Sequence, residues 1–166
     1  MGIDKPPIRI KFTPNNIGRV IINIDVRKAD GLSHKNIVFK LDSGSDFTTI
    51  SIEDLQLLGF KNYFLSKCPK HILPENQKVT TADGTPVKLQ YINNMSMMFE
   101  DREILNVRLF FAMGTNMRSL FGSDILKYFN SEVNYDIGYL SLYERSSMPD
   151  LSNNEVPLQI YELKQI

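Results

Sequence analysis

The sequence is poor in the features that mark several protein classes. Its one cysteine, Cys68, leaves no disulfide framework and no multi-cysteine zinc site. Charge of one sign is not in excess either: 19 Lys plus Arg stand against 19 Asp plus Glu. A nucleic-acid binder carries a basic surplus that neutralises phosphates, so none is expected here. No apolar run approaches the roughly 18 residues of a membrane-spanning helix. Residues 1–7 lack the apolar core of a signal peptide, and Pro6 stands where a myristoylation signal carries Ser or Thr. No repeat occurs at a period of about 20 to 50 residues. No Gly-x-Gly-x-x-Gly, phosphate-cradling Gly-Lys-Ser/Thr or Gly-x-Ser-x-Gly motif occurs. These absences point to a soluble, cytoplasmic protein that takes neither nucleic acid nor membrane as partner.

What remains is an ordinary globular composition, 42% hydrophobic and 23% charged over 166 residues, enough for one domain with a real core. Most of it reads as short strands. Ile8, Ile10 and Phe12 alternate with Arg9 and Lys11 at the period of a half-buried strand. Residues 20–26 form a second strand, and 29–35 a polar loop. Residues 37–41, nearly all apolar, form a third strand that reads as buried on both faces. Residues 51–58 read as a short helix with Ser51 as its cap, Glu53 and Asp54 in its first turn and Gly59 closing it. Residues 62–75 look irregular. Asp83-Gly84 between two strand-like runs is a strong hairpin signal. Residues 95–99 and 107–112 are further strands, and 123–129 a second helix. Residues 133–135 and 139–143 form a closing hairpin around Asp136-Ile137-Gly138. The class is therefore mainly β, with about nine strands and two short helices.

The residue that stands out is Asp42. It ends a buried apolar strand, and Ser43 and Gly44 follow it. Gly44 permits a sharp turn with no side chain in a ligand's way, and a carboxylate so placed is costly unless paired or functional. An Asp-(Ser/Thr)-Gly triplet arises by chance in roughly one chain in fifteen of this length, so alone it reads equally well as a plain turn.

Its surroundings carry more. Residues 37–50, with Asp42-Ser43-Gly44-Ser45-Asp46 between an apolar strand and Thr48-Thr49-Ile50, resemble the active-site loop of retropepsin-like (retroviral-type) aspartic proteases. Thr80-Thr81-Ala82-Asp83-Gly84-Thr85 resembles that family's flap. Ser119-Leu120-Phe121-Gly122-Ser123-Asp124-Ile125-Leu126 is similar to the apolar-apolar-Gly strand and following helix of its second half, and residues 134–142 to its last hairpin. The four occur in the family's order and spacing.

The resemblance implies a retropepsin-like acid-protease barrel over residues 1–145, with one short C-terminal helix per monomer, active as a homodimer. Asp42 would be catalytic and Ser43 would tie two active-site loops together. Gly44 would contact substrate, with Ser45 and Asp46 completing the loop. Ala82, Asp83 and Gly84 would form the flap over a peptide bound as an added strand, and Leu120, Phe121 and Gly122 the second-half motif. Two aspartates are needed and this chain has one Asp-(Ser/Thr)-Gly, so Asp42 would face its copy across a two-fold axis. Two carboxylates about 3 Å apart share one proton, and the ionised one would draw a proton from water while the other binds the scissile carbonyl. Peptide or protein is the expected substrate, and no cofactor or metal is called for.

One departure is Ser123, where the family often has an arginine that pairs with the acid at the Asp46 position; Arg118 is a possible substitute. This leaves as an alternative a catalytically inactive dimerisation and peptide-binding module on the same fold. Residues 146–166 read as a linker and a C-terminal apolar strand. Its roles stand open between a dimer-interface sheet, packing on its own monomer and an autoinhibitory tail. Cys68 and His71 could be two metal ligands, but zinc takes four, or three plus water, and only His34 remains.

Overall fold

A computed structural model describes residues 5–72, 79–80, 83–84, 86–152 and 155–163. The first half holds β1 (Ile8–Lys11), β2 (Ile21–Arg27), β3 (His34–Leu41), α1 (Ile52–Leu57) and α2 (Asn62–Ser66). There follow β4 (Val79–Thr80), β5 (Pro86–Val87), β6 (Gln90–Met98) and β7 (Arg102–Phe111). The last third holds β8 (Leu120–Phe121), α3 (Ser123–Leu126), β9 (Phe129–Asn134), β10 (Tyr139–Glu144) and β11 (Gln159–Glu162). The protein is mainly β, as the alternation of its residues predicts.

The described residues form three sheets. One is β1-β10-β9, all antiparallel. The largest runs β11-β7-β6-β2-β3-β8, antiparallel except where β3 meets β8. The third is the pair β4-β5. Period-two alternation buries Ile8 and Ile10 of β1 and Ile22, Ile24 and Val26 of β2. They join Phe39, Met97, Leu109, Phe121 and Leu142 in one core, each such side chain contributing about 1.5–3 kcal/mol on burial. β6 and β7 shift register twice along their length. Asn94 and Asn106 there take left-handed backbone (φ +62° and +63°), which asparagine tolerates better than most residues and which bends the ladder.

Several expectations need correcting. β3 is not buried on both faces: Ile37 and Phe39 are, but Val38 is 52% exposed, so one face of β2–β3 is open. β3 also begins at His34, inside the expected loop. The irregular stretch after residue 62 contains α2, a single helical turn whose N-cap, Lys61, makes no side-chain cap, which is why no start signal marks it. α3 stops at Leu126, because Phe129 already starts β9. Where two helices were read, the described residues hold three.

The chain's last described segment lies on its own sheet. β11 extends β7 from Gln159↔Leu105 to Glu162↔Arg102. Lys127 Nζ meets Glu155 at 2.6 Å, and Leu158 N–H donates to the Tyr128 hydroxyl. Buried Arg102 donates to the Pro6 carbonyl, tying the N-terminal segment to the same edge. Among the described residues no helix is long and apolar enough to cross a membrane.

Candidate active site

The loop bearing Asp42 is built around β8. On one side β8 runs parallel to β3: Lys40 N–H donates to Ser119 O (3.0 Å) and Asp42 N–H to Phe121 O (3.0 Å). On the other side Thr49 pairs antiparallel with Leu120, through Thr49 N–H to Leu120 O (3.0 Å) and Leu120 N–H to Thr49 O (3.1 Å). Leu120 and Phe121 are thus threaded between the strand entering the loop and the strand leaving it. A parallel pair needs a long crossover, and here nearly half the chain separates the partners.

Within the loop the chain turns tightly. The Asp42 carboxylate accepts from Gly44 N–H (3.1 Å), and Ser45 N–H donates to Asp42 O (3.1 Å). Asp42 is half-buried, while Ser43, Gly44 and Asp46 are exposed. Ser45 Oγ donates to Phe47 O at 2.8 Å, and Ser45 O accepts from Ser123 N–H at 2.8 Å. Gly122 sits against this turn so closely that a Cβ would lie 2.4 Å from Phe47 O and 2.9 Å from Ser45 O. Only glycine fits. Asp42, Ser45, Phe121 and Gly122 are therefore brought together.

Two residues that the sequence reading did not single out complete the joint. Buried Thr48 donates through Oγ1 to Asp124 Oδ1 (2.6 Å) and through its N–H to Oδ2 (2.9 Å). Its Oγ1 also accepts from Gly122 N–H (3.1 Å). Ile125 N–H donates to Asp124 Oδ1 as well. Desolvation holds the Asp124 carboxyl above the usual carboxylate range, and these hydrogen bonds oppose it. An acid just after Gly-Ser, at a helix start, was the one signal that could have drawn attention to it. Ser119 makes a parallel stitch, accepting from Ser51 N–H (3.0 Å) and donating to Asp54 (2.6 Å).

Beside the loop, Phe47, His71 and Phe110 form an edge-packed cluster with centroids 4.6–5.4 Å apart. It walls a cavity of about 80 Å³ that Asp46 and Asp124 also line. Burial, with Arg108 nearby, lowers the His71 pKa.

The hairpin expected at Asp83-Gly84 is present as β4 and β5, paired Val79↔Val87 and Thr80↔Pro86. Asp83 and Gly84 are exposed in its turn, Gly84 at φ +86°. Ala82 lies outside the described residues. Asp46 and Arg118 form no ion pair among the described residues. The backbone of Ser123, not a guanidinium, bonds the loop at the position after Gly122. Buried Cys68 has its thiol pKa raised by desolvation. The described residues contain no cluster of three or more metal-ligating side chains.

No family model matches the sequence, and no curated protein matches it either. The structure is similar to the crystal structure of a retropepsin-like aspartic protease from Rickettsia conorii, with a TM-score of 0.53 and 23% identity. The match covers 86% of this chain and 94% of that one. The fold is therefore retropepsin-like.

Proposed function

We propose, from this retropepsin-like fold, that the protein is an aspartic endopeptidase whose catalytic residue is Asp42, acting as a homodimer. The observation that carries the reading is the position of the Asp42 carboxylate. Half-buried, it accepts from Gly44 N–H in a turn whose entering and leaving strands both pair with β8 and against which Gly122 packs. One such carboxylate per chain calls for a second copy, with the two Asp42 residues sharing one proton across the dimer axis.

The chemistry follows from the shared proton. The ionised carboxylate takes a proton from a water as its oxygen bonds to the scissile carbonyl carbon, and the protonated one gives its proton to the carbonyl oxygen. The resulting gem-diol collapses: one of its hydroxyls gives its proton to the ionised carboxylate as the C–N bond breaks, the amine nitrogen takes the proton of the other carboxyl, and a carboxylic acid and an amine leave with the dyad again singly protonated. Gly44 would meet the peptide backbone, Ser43 would tie the two active-site loops together, and Ala82, Asp83 and Gly84 would cover the bound peptide. Residues 1–145 would form the catalytic unit, working in a reducing compartment such as the cytoplasm.

The rival, a peptide-binding module without catalysis, draws support from Ser123 in the place of an arginine. Cleavage of an unbiased peptide mixture between about pH 4 and about pH 8 separates the two. Wild type should cut with a bell-shaped profile on the acidic side of neutral. Asp42→Asn should lose about 10²- to 10⁴-fold in rate while remaining folded and dimeric. A dimer that cuts nothing would favour the rival, and equal cutting by the variant would remove Asp42 from the mechanism.

A further inference from the structure

The open face of β2–β3 has no role in the site described so far. By register, Ile21 lies opposite Lys40 and Asn23 opposite Val38, and Ile21 and Val38 are 41% and 52% exposed. These two apolar side chains floor a groove of about 410 Å³ that Arg19, Lys40 and Arg118 also line. A second groove of about 550 Å³ shares the same floor and adds Lys11. None of the four cations has an ion-pair partner among the described residues. Two carboxylates, Glu53 and Asp54, line the α1 wall. They belong to the first turn of that helix, whose N-terminal dipole offsets part of their charge, and Asp54 is engaged by Ser119.

The groove and the candidate site share β3 and the segment entering β8. Lys40 is two residues before Asp42 and Arg118 two before Leu120, and Lys40 and Leu120 are register partners where β3 meets β8. We infer that this groove seats an extended peptide segment carrying Asp or Glu side chains, with Lys40 and Arg118 as specificity-determining residues. The apolar floor takes the stems of the segment and the unpaired cations take its carboxylates. This deepens the protease reading, on which it rests, by naming the class of substrate.

The test reads binding, so it does not depend on turnover. Full-length Asp42→Asn is titrated with fluorescein-labelled hexapeptide pools, one position fixed as Glu, Gln or Lys and the others randomised. The Glu pool should bind about two- to fivefold more tightly than the Gln pool at low salt, and the advantage should shrink as salt screens it. Lys40→Glu with Arg118→Glu should reverse the order in favour of the Lys pool. Equal binding of the Glu and Gln pools by the unmodified groove would overturn the inference, and so would a preference that survives the double substitution. If the double variant instead changes the oligomeric state with no Glu preference in its parent, the groove is an interface between copies and the inference fails. Cleavage by the wild-type protein is scored separately, so a failed protease reading and a failed groove give different results.

Discussion

The floor of the candidate site and the hairpin that would cover it are held in opposite ways. The floor joins residues 68 to 76 positions apart: Thr48 to Asp124, Thr49 to Arg118 and Ser51 to Ser119. Buried side chains supply these bonds, and Gly122 allows backbone to lie against backbone. The β4–β5 hairpin, by contrast, has two-residue strands that pair only with each other among the described residues. In the proposed dimer, a carboxylate that would meet its copy at hydrogen-bond distance needs an over-determined support. A hairpin that, on the proposed function, would admit and release peptide does not. The difference assigns stability to the floor and adaptability to the hairpin.

The substitution expected to break the floor most is Gly122→Ala. Its Cβ would require Phe47 O to retreat from 2.4 Å, and backbone held on both sides cannot retreat without breaking the Thr49–Leu120 ladder. A loss of about 3–5 kcal/mol is expected, in the exceptional range for a point change, measured by urea unfolding. A loss below about 1 kcal/mol would show that the loop yields and that the floor is not rigid.

Asp124 comes next. Asp124→Ala leaves the N–H and hydroxyl of buried Thr48 without their acceptor, at a cost of about 1–3 kcal/mol. Asp124→Asn separates charge from hydrogen bonding. Because desolvation raises the folded-state pKa, the native protein keeps this proton to a higher pH than the unfolded chain does. Stability is thus lost as pH rises from the ordinary carboxylate value through the raised one, and the loss persists above it. Asn, which resembles the protonated acid, should gain on wild type over that window. Unfolding midpoints of the two proteins at acid and neutral pH give the comparison, and an Asn variant that instead falls behind as pH rises would mean that hydrogen bonding to the charged form outweighs its burial.

The same contrast explains what the sequence revealed. Local signals were legible: the Ser51 cap, which does accept from Asp54 N–H, the Asp83-Gly84 turn, the alternation of β1, and the Asp42 loop with its glycine. The links across the floor were not, because nothing in Thr48 or Asp124 announces a partner 76 residues away. The open face of β3 was misread for a related reason: Val38 is apolar, and only the tertiary arrangement decides whether anything covers it. Arg118, considered as the partner of Asp46, lines the groove beside Lys40.

The smallest effect is expected at the tip of the hairpin, where Gly84 takes φ +86°. A left-handed residue other than glycine costs about 1–2 kcal/mol, although a Cβ there meets nothing within 4 Å among the described residues. If the hairpin is a separate, weakly held unit, that cost disfavours the closed turn without being carried into global unfolding. Gly84→Ala should then shift the Tm by less than about 2–4 °C, and cleavage should show a lower kcat/KM as the covering conformation becomes rarer. Should Gly84→Ala unfold the protein as readily as Gly122→Ala does, the hairpin and the floor are one cooperative unit and the division between them does not hold.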